Sequence, residues 1–272
     1  MEHRALAGRY TANLGDGGAA LVDELRRADD EARATLAPAD WRMNSRAEGW
    51  SIQDVVAHLA AGCHAVFSPA AGKVLRSNDI ERANDVMVDS RRDRSSTEVL
   101  AEYRRWSRVF GATLTAVGRT PLGGLPVPLA DLGQFPARLM LGALVFDHHT
   151  HLRHDMAPAL GRPVPGTDAN RMAVVLEWMM AVLSNQLRAQ PLPFLDRTLS
   201  ITLTGPGGGT WRVAPNGSVA IGAVESSAAQ ITAAASEFPE WGTKRADWRD
   251  RDVSIAGDDD YAATFLDAVD IV

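Results

Sequence analysis

The sequence is poor in cysteine and in clustered positive charge. Cys63 is the single cysteine among 272 residues, which excludes an intrachain disulfide and a thiolate metal cluster within one chain. Lysine occurs only at Lys73 and Lys244, and the net charge is −6. The basic stripe typical of nucleic-acid-binding proteins is therefore missing, and nucleic acid is not expected as a partner.

The sequence also lacks long apolar segments. No apolar run approaches the roughly 20 residues that a membrane-spanning helix needs. The start of the chain, MEHRALAGRY, lacks the apolar core of a signal peptide. Membrane insertion is therefore not expected, and together with the single cysteine these features predict a cytoplasmic protein.

The length predicts two domains, because 272 residues exceed the usual size of one domain. The segment Pro191-Leu192-Pro193 is predicted to be the linker, since two prolines so close together cannot lie within a helix. We therefore expect a mainly α chain, with a helical bundle over residues 1–190 and a small α+β domain over residues 191–272.

Capping signals and hydrophobic periodicity predict the individual elements. Ser51 with Asp54, and Ser95 with Glu98, have the spacing of capping boxes, which marks two helix starts. The predicted helices of the bundle cover residues 18–36, 52–67, 95–118, 136–160 and 169–187, with a broken helix over 73–94. The second domain is predicted to have strands at 198–205, 207–215, 219–221 and 253–255, and helices at 226–237 and 259–269.

The apolar helix that begins at Pro136 runs into a cluster of histidines. Residues 146–155 read FDHHTHLRHD and hold four of the seven histidines and two carboxylates. Residues four apart on a helix share one face, with Cβ atoms about 5 to 6 Å apart, so one helix can supply two ligands to a metal ion. The alternative is a row of solvated histidines, but the residues that lead into the cluster are too apolar for an exposed helix.

Spacing alone leaves several ligand sets open. The competing pairs are Asp147 with His151, His151 with Asp155, and His148 with His151 or Asp155. The candidates for a third ligand from another element are His3, His58, Cys63 and His64. His58 lies in a well-marked helix beside small residues that leave room for an ion. Three nitrogen and oxygen ligands with an open position suit a divalent ion such as Zn²⁺.

Residues 50–59, WSIQDVVAHL, resemble the second-helix signature of the DinB-like superfamily, in the branch that contains mycothiol-dependent maleylpyruvate isomerase. In that branch a helix-borne His, and later a carboxylate and a His four residues apart, hold a divalent metal. The resemblance implies a four-helix bundle with His58, Asp147 and His151 as the metal ligands. The branch has Glu where this chain has Asp147, and the side chain that is one methylene shorter bears on metal geometry and on substrate.

Three C-terminal segments carry a second resemblance. The segments LSITLTGPGGGTW, WGTKRADW and VSIAGD, at residues 199–211, 241–248 and 253–258, resemble a sterol-carrier-like domain that is often fused to such bundles. The resemblance implies that residues 191–272 form this small α+β domain.

The resemblance implies a metal-dependent enzyme, with Zn²⁺ as the favoured ion. We expect an isomerase or transferase that is assisted by a small thiol such as mycothiol and acts on a small organic substrate. The alternative is a non-enzymatic protein that binds a metal or an apolar ligand, or a stress-linked regulator. A monomer or a homodimer is expected.

The other polar residues of the two helices have more modest predicted roles, and no catalytic residue is assigned. Cys63 lies about 140° around the helix from His58 and is expected to be a small buried residue. Arg153 is predicted to bind an anionic substrate or cofactor, with a solvated arginine as the alternative. The alternative to a ligand role for Asp155 is that it orients a ligand histidine. The supporting or surface positions are assigned to His148, His149 and His154.

Overall fold

The structure, a computed structural model, describes residues 40–68, 72, 77–222 and 226–271. The helix predicted over residues 18–36 and the candidate ligand His3 lie outside the described residues. The chain divides into two compact units. Unit 1 extends through Asp131 and includes Phe135–Gly166, and unit 2 comprises Leu132–Gln134 and Thr167–Val272.

Helices dominate the described part of unit 1. The α-helices are α1 (Ile52–Ala65), α2 (Ile80–Asp89), α3 (Ser96–Gly118) and α4 (Met140–Thr150), and α4 continues into a π-helical turn, His151–Met156. Short 3₁₀ helices lie at Asp40–Arg42, Pro121–Gly124, Ala130–Leu132 and Ala137–Leu139, and β1 (Pro126–Pro128) pairs with β2 (Gln134–Pro136) between α3 and α4.

Both predicted capping boxes are confirmed. The Ser51 hydroxyl accepts from the backbone N–H of Asp54, and the Asp54 carboxylate accepts from the backbone N–H of Ser51. Ser95 and Glu98 make the same reciprocal pair of bonds at the start of α3. Each box satisfies two backbone donors that the first helical turn leaves without partners, so these helices begin where the sequence predicts.

Helix α1 is buried over most of its surface and lies at the centre of the unit 1 core. The apolar side chains packed with it come from α1, α3 and the π-helical turn, namely Ile52, Val55, Val56, Leu59, Val99, Leu100, Tyr103, Leu152 and Met156. Burial of each large side chain contributes about 1.5–3 kcal/mol. This packing fixes α1 against α3 and against the end of α4, and so places the polar residues of α1 beside the histidine cluster.

Unit 2 combines helices with one five-stranded sheet. Its elements are α5 (Ala169–Ala189), β3 (Leu199–Thr204), β4 (Gly209–Val213), β5 (Val219–Ile221), β6 (Ala229–Ala234), α6 (Phe238–Gly242), a 3₁₀ helix at Trp248–Asp250, β7 (Val253–Gly257) and α7 (Asp259–Ala268). The strand order is β5-β4-β3-β6-β7. Strands β3, β4 and β5 form an antiparallel meander, whereas β3 and β6 pair in parallel.

The turn between β3 and β4 packs against the start of α5. Gly207 has a φ of +76°, and a Cβ at this position would clash with the carbonyl oxygen of Ala169 and with the backbone nitrogen of Ala173. The missing side chain of Gly207 therefore allows close approach of a helix. This contact places α5 with the sheet, whereas the sequence prediction placed residues 169–187 in the bundle. The boundary predicted after residue 190 stays a prediction.

The prediction of a helix over residues 226–237 is wrong, because Ala229–Ala234 is strand β6. Ala229, Ile231 and Ala233 are buried, while Gln230 is exposed, which is the period of two expected for a strand. Alanine favours helix in isolation. Pairing with β3 on one side and β7 on the other outweighs that preference.

The predicted fold class is confirmed: the chain is mainly α, with an N-terminal helical bundle and a small sheet in its C-terminal part. None of the helices in the described ranges is long and apolar enough to cross a membrane. The cytoplasmic location stays a prediction.

Candidate functional site

His58 projects from the buried helix α1 into the interior of unit 1. Its residue surface is 7 % exposed. Ala61 is buried one turn further along, and a Cβ added to Gly62 would reach ordinary contact distance, 3.9 Å, from Leu144 of α4. Small residues on α1 thus let α4 approach close to His58.

Helix α4 changes its winding within the histidine cluster. The backbone N–H of His151 donates to the carbonyl oxygens of both Asp147 and His148. The N–H of Ala157 then donates to the carbonyl of Leu152, five residues earlier, at 3.1 Å. Such π-helical turns are uncommon and frequently lie at functional sites.

The three residues predicted as ligands come together where α1 faces the end of α4. His58 Nε2 lies 3.8 Å from Asp147 Oδ2, and the imidazole rings of His58 and His151 are 5.1 Å apart between centroids in an edge-to-face arrangement. The Asp147 side chain is 31 % exposed, while those of His58 and His151 are 8 % and 10 % exposed. The carboxylate therefore lies on the solvent side of two buried rings.

His151 also contacts the second carboxylate of the cluster. Its Nδ1 lies 2.7 Å from Asp155 Oδ2, and the Asp155 residue is fully buried. An ionised carboxylate only accepts hydrogen bonds, so Nδ1 is the donor in this contact. The spacing that made Asp155 an alternative ligand places it instead as the hydrogen-bond partner of His151.

His148 is held by neutral groups. The Tyr103 hydroxyl lies 2.9 Å from Nε2, and the carbonyl oxygen of Leu144 lies 2.6 Å from Nδ1. The carbonyl accepts from Nδ1–H, so Nε2 accepts from the tyrosine hydroxyl. Burial, with a smaller effect from His151, lowers the pKa of His148 to about 4 despite the raising effect of the Leu144 bond. Both nitrogens of this neutral ring are engaged, which disfavours the pairs that use His148 as a ligand.

A family model covers the helices that carry this arrangement. The model of the mycothiol maleylpyruvate isomerase N-terminal domain matches residues 21–157, which include His58, Asp147 and His151. The chain belongs to this family. Membership in the mycothiol maleylpyruvate isomerase family confirms the resemblance that residues 50–59 carry.

Solved structures share the fold of this member of the mycothiol maleylpyruvate isomerase family. The crystal structure of the mycothiol-dependent maleylpyruvate isomerase matches at 16 % identity with a TM-score of 0.51, and a mutant of that enzyme matches at 15 % identity with the same TM-score. Both alignments cover 94 % of this chain and 92 % of the other. Sterol Carrier Protein 2 Like 2 from Aedes aegypti matches at 17 % identity, with a TM-score of 0.31, over 36 % of this chain and 98 % of that one. No curated protein matches the chain.

The chemical types of His58, Asp147 and His151 suit a divalent ion, but the three side chains are not arranged as a ligand shell. Within the described ranges, no three His, Cys, Asp or Glu side chains form a metal-binding group. Two ligands of one tetrahedral ion lie about 3.4 Å apart, whereas His58 Nε2 and Asp147 Oδ2 are 3.8 Å apart. Two imidazoles and one carboxylate are ligands that zinc uses in open sites. The ligand assignment stays a prediction.

The other candidates for a third ligand lie in different surroundings. His64 Nδ1 lies 3.1 Å from Glu102 Oε1, and its ring stacks on Trp106 at 4.1 Å between centroids. Cys63 is fully buried, and desolvation together with the charge of Asp147 raises the pKa of its thiol. His64 is therefore engaged elsewhere, and the Cys63 thiol stays protonated and unreactive.

Three further residues of the cluster are buried or half-buried. Arg153 is 4 % exposed, and its Nη2 donates to the carbonyl oxygen of Gly166 at 2.6 Å. The prediction that it binds an anionic group remains untested. His149 is buried, and its ring centroid lies 6.2 Å from that of half-buried His154. His149 is thus interior. The ring contact between His58 and His151 involves neither His149 nor His154.

Two contacts of the site follow from packing rather than from sequence spacing. The indole of Trp50 lies 4.9 Å from the His58 ring and 6.1 Å from the His151 ring, and its N–H donates to Asp85 at 3.0 Å. Trp50 begins the WSIQDVVAHL signature, which is the one sequence signal for its position. No spacing rule links Tyr103 to His148, because the two residues lie on different helices.

Proposed function

We propose that the protein is a divalent-metal-dependent, thiol-assisted isomerase or transferase that acts on a small organic substrate. The proposed ion is Zn²⁺, the proposed thiol is mycothiol, and the proposed metal ligands are His58, Asp147 and His151. The observation that carries the proposal is the convergence of these three side chains from two separate helices within a family member. Small-molecule partners follow from it, with no nucleic acid.

The shape of the site supports an ion with an open coordination position on its solvent side. His58 and His151 are enclosed by α1, α4 and the indole of Trp50, which shields their rings from water. Asp147 is the most exposed of the three. A substrate and a thiol would therefore approach from the Asp147 side, while the buried histidines keep their orientation.

The state of Cys63 supports a thiol that comes from outside the chain. Cys63 is the one thiol of the sequence, and burial keeps it protonated by raising its pKa. A nucleophilic sulfur must be a thiolate, so the protein itself does not supply one. The mycothiol dependence in the name of the structurally similar isomerase suggests which thiol to test first.

A bound divalent ion supplies two kinds of chemistry: it lowers the pKa of a coordinated thiol and it polarises a carbonyl oxygen. The protein's residues hold the reacting groups and keep bulk water away. The shorter Asp147, in place of the family's Glu, is where metal geometry and substrate preference are expected to depart from those of the isomerase.

The proposal is tested on the full chain purified from zinc-supplemented medium. We expect one divalent ion per chain by elemental analysis, and isomerisation of maleylpyruvate that requires mycothiol, stops with chelator and returns with Zn²⁺. His58→Ala should lose the ion and the activity. Cys63→Ala should keep both, because the reacting sulfur is external. A metal-free wild type whose properties His58→Ala leaves unchanged contradicts the proposal.

A further inference from the structure

The π-helical turn joins His151 and Asp155 in one buried unit. The bond from the Ala157 N–H to the Leu152 carbonyl closes this wider turn. His151 and Asp155 both lie within the turn. The backbone carbonyl of Asp155 also accepts from the N–H of Arg46 at 3.1 Å. Arg46 belongs to the loop that leads to Trp50, so Asp155 is fixed both to the turn and to the loop that covers the two histidine rings.

The side chain of Asp155 contacts one of the two nitrogens of His151. The 2.7 Å bond joins Asp155 Oδ2 to Nδ1. In a neutral imidazole one nitrogen carries the proton and the other is an acceptor, so a carboxylate on Nδ1 makes Nε2 the acceptor. Metal-bound histidines commonly have this arrangement, with a carboxylate on the nitrogen that faces away from the ion.

We propose that Asp155 is a positioning residue that holds His151 as the Nδ1–H tautomer and so presents Nε2 as the ligating atom. The inference rests on the proposed metal-binding function, and it adds a residue outside the predicted ligand set. Asp155 is fully buried, so it acts through His151 and does not itself contact an ion or a substrate.

A second histidine–carboxylate pair in unit 1 provides a matched control. His64 Nδ1 and Glu102 Oε1 are 3.1 Å apart, and Glu102 also pairs with Arg91 and Arg94. Glu102→Gln changes the same kind of histidine–carboxylate contact away from the His58–His151 rings. An effect of Asp155→Asn that Glu102→Gln does not reproduce is therefore specific to His151.

The first measurement needs no metal. Nitrogen-15 NMR of the metal-free full chain, with labelled histidine and His151 assigned by His151→Gln, reports the tautomer of each ring. We expect Nδ1–H for His151 in the wild type. In Asp155→Asn the amide can donate to Nδ1, so the Nε2–H tautomer should rise, while Glu102→Gln should leave His151 unchanged. An unchanged His151 tautomer in Asp155→Asn overturns the positioning role.

The second measurement is zinc affinity by chelator competition. Loss of an outer carboxylate typically weakens metal binding about 10- to 100-fold, and we expect this for Asp155→Asn with no change for Glu102→Gln. Equal affinity of Asp155→Asn and wild type also overturns the role. If the wild type itself binds no zinc, the proposed function fails and the ligand-positioning role fails with it. A tautomer shift with intact zinc binding but unchanged affinity rejects the positioning role alone.

Discussion

In the described part of unit 1, two histidine–carboxylate pairs are joined through the histidine Nδ1 and lie in very different surroundings. His151 and Asp155 form a pair in the buried π-helical turn, next to His58 and Asp147. His64 and Glu102 form the other, where two arginines share the carboxylate and Trp106 stacks on the imidazole. The same contact can therefore orient a ring toward a functional site or tie two helices together, and the neighbours decide which.

The arginines are the main difference between the pairs. Arg91 donates to both oxygens of Glu102, and Arg94 adds a bond of 2.7 Å. Glu102 is thus chiefly an anchor for cationic residues that follow α2, and His64 is one of several partners. His151 has instead the imidazole of His58 as a neighbour and the Asp155 carboxylate at its Nδ1, a combination that suits an ion.

The largest expected contrast is in metal content. His151→Ala should remove bound zinc, because it deletes a proposed ligand and therefore costs more than the about 10- to 100-fold expected for an outer residue. His64→Ala should retain stoichiometric zinc, since His64 contacts Glu102 and Trp106. Elemental analysis after dialysis compares the two variants. Equal zinc content in both removes the distinction between the pairs.

A smaller contrast is expected in folding stability. Glu102→Ala leaves Arg91, which is 8 % exposed, without its carboxylate. Breaking a buried ion pair costs about 3–5 kcal/mol, and we expect about 2–3 kcal/mol here because Arg94 stays largely in water. Urea unfolding measures the loss. Asp89→Ala, which removes an exposed partner of Arg92, is the control and should change the free energy of unfolding by less than about 1 kcal/mol.

The smallest expected effect is on acid stability. Burial raises the pKa of Glu102, but the bonds and charges of Arg91, then His64 and Arg94, outweigh it and lower that pKa below its usual 4.5. A carboxyl with a lowered native pKa stabilises the fold above its unfolded pKa and loses that contribution as pH falls through the native value. Glu102→Gln should therefore flatten the loss of stability below about pH 4.5, measured as urea midpoints from neutral to acid pH. If Glu102→Gln leaves the pH dependence of the urea midpoint unchanged, the pKa of Glu102 is the same in the native and the unfolded state.

The parts of the fold that depend on local chemistry could be predicted from the sequence. The starts of α1 and α3 follow from capping boxes that involve residues three apart. The β3–β4 turn follows from its glycines. Strand β6 was missed because alanine-rich residues 229–234 carry little local information, and the pairing with β3 and β7 that makes them a strand comes from distant parts of the chain.

The candidate site divides in the same way. Helical spacing placed Asp147, His148, His151 and Asp155 within reach of one another but could not rank the pairs, and the family resemblance singled out Asp147 with His151. Which nitrogen of each histidine is engaged depends on partners in three dimensions. The Tyr103 hydroxyl on His148 comes from another helix, and the Asp155 bond to His151 depends on side-chain orientation within the π-helical turn.

The contact of Gly207 with the start of α5 bears on how the C-terminal part of this protein could be inherited as a module. Because the β3–β4 turn lacks a side chain where the helix lies against it, a sheet separated from α5 would expose a surface shaped for that helix. A gene segment that begins at the prolines after α5 would therefore encode an incomplete unit. The compact unit that holds the sheet resumes at Thr167, so a fragment that keeps this packing must include the helix that precedes the sheet.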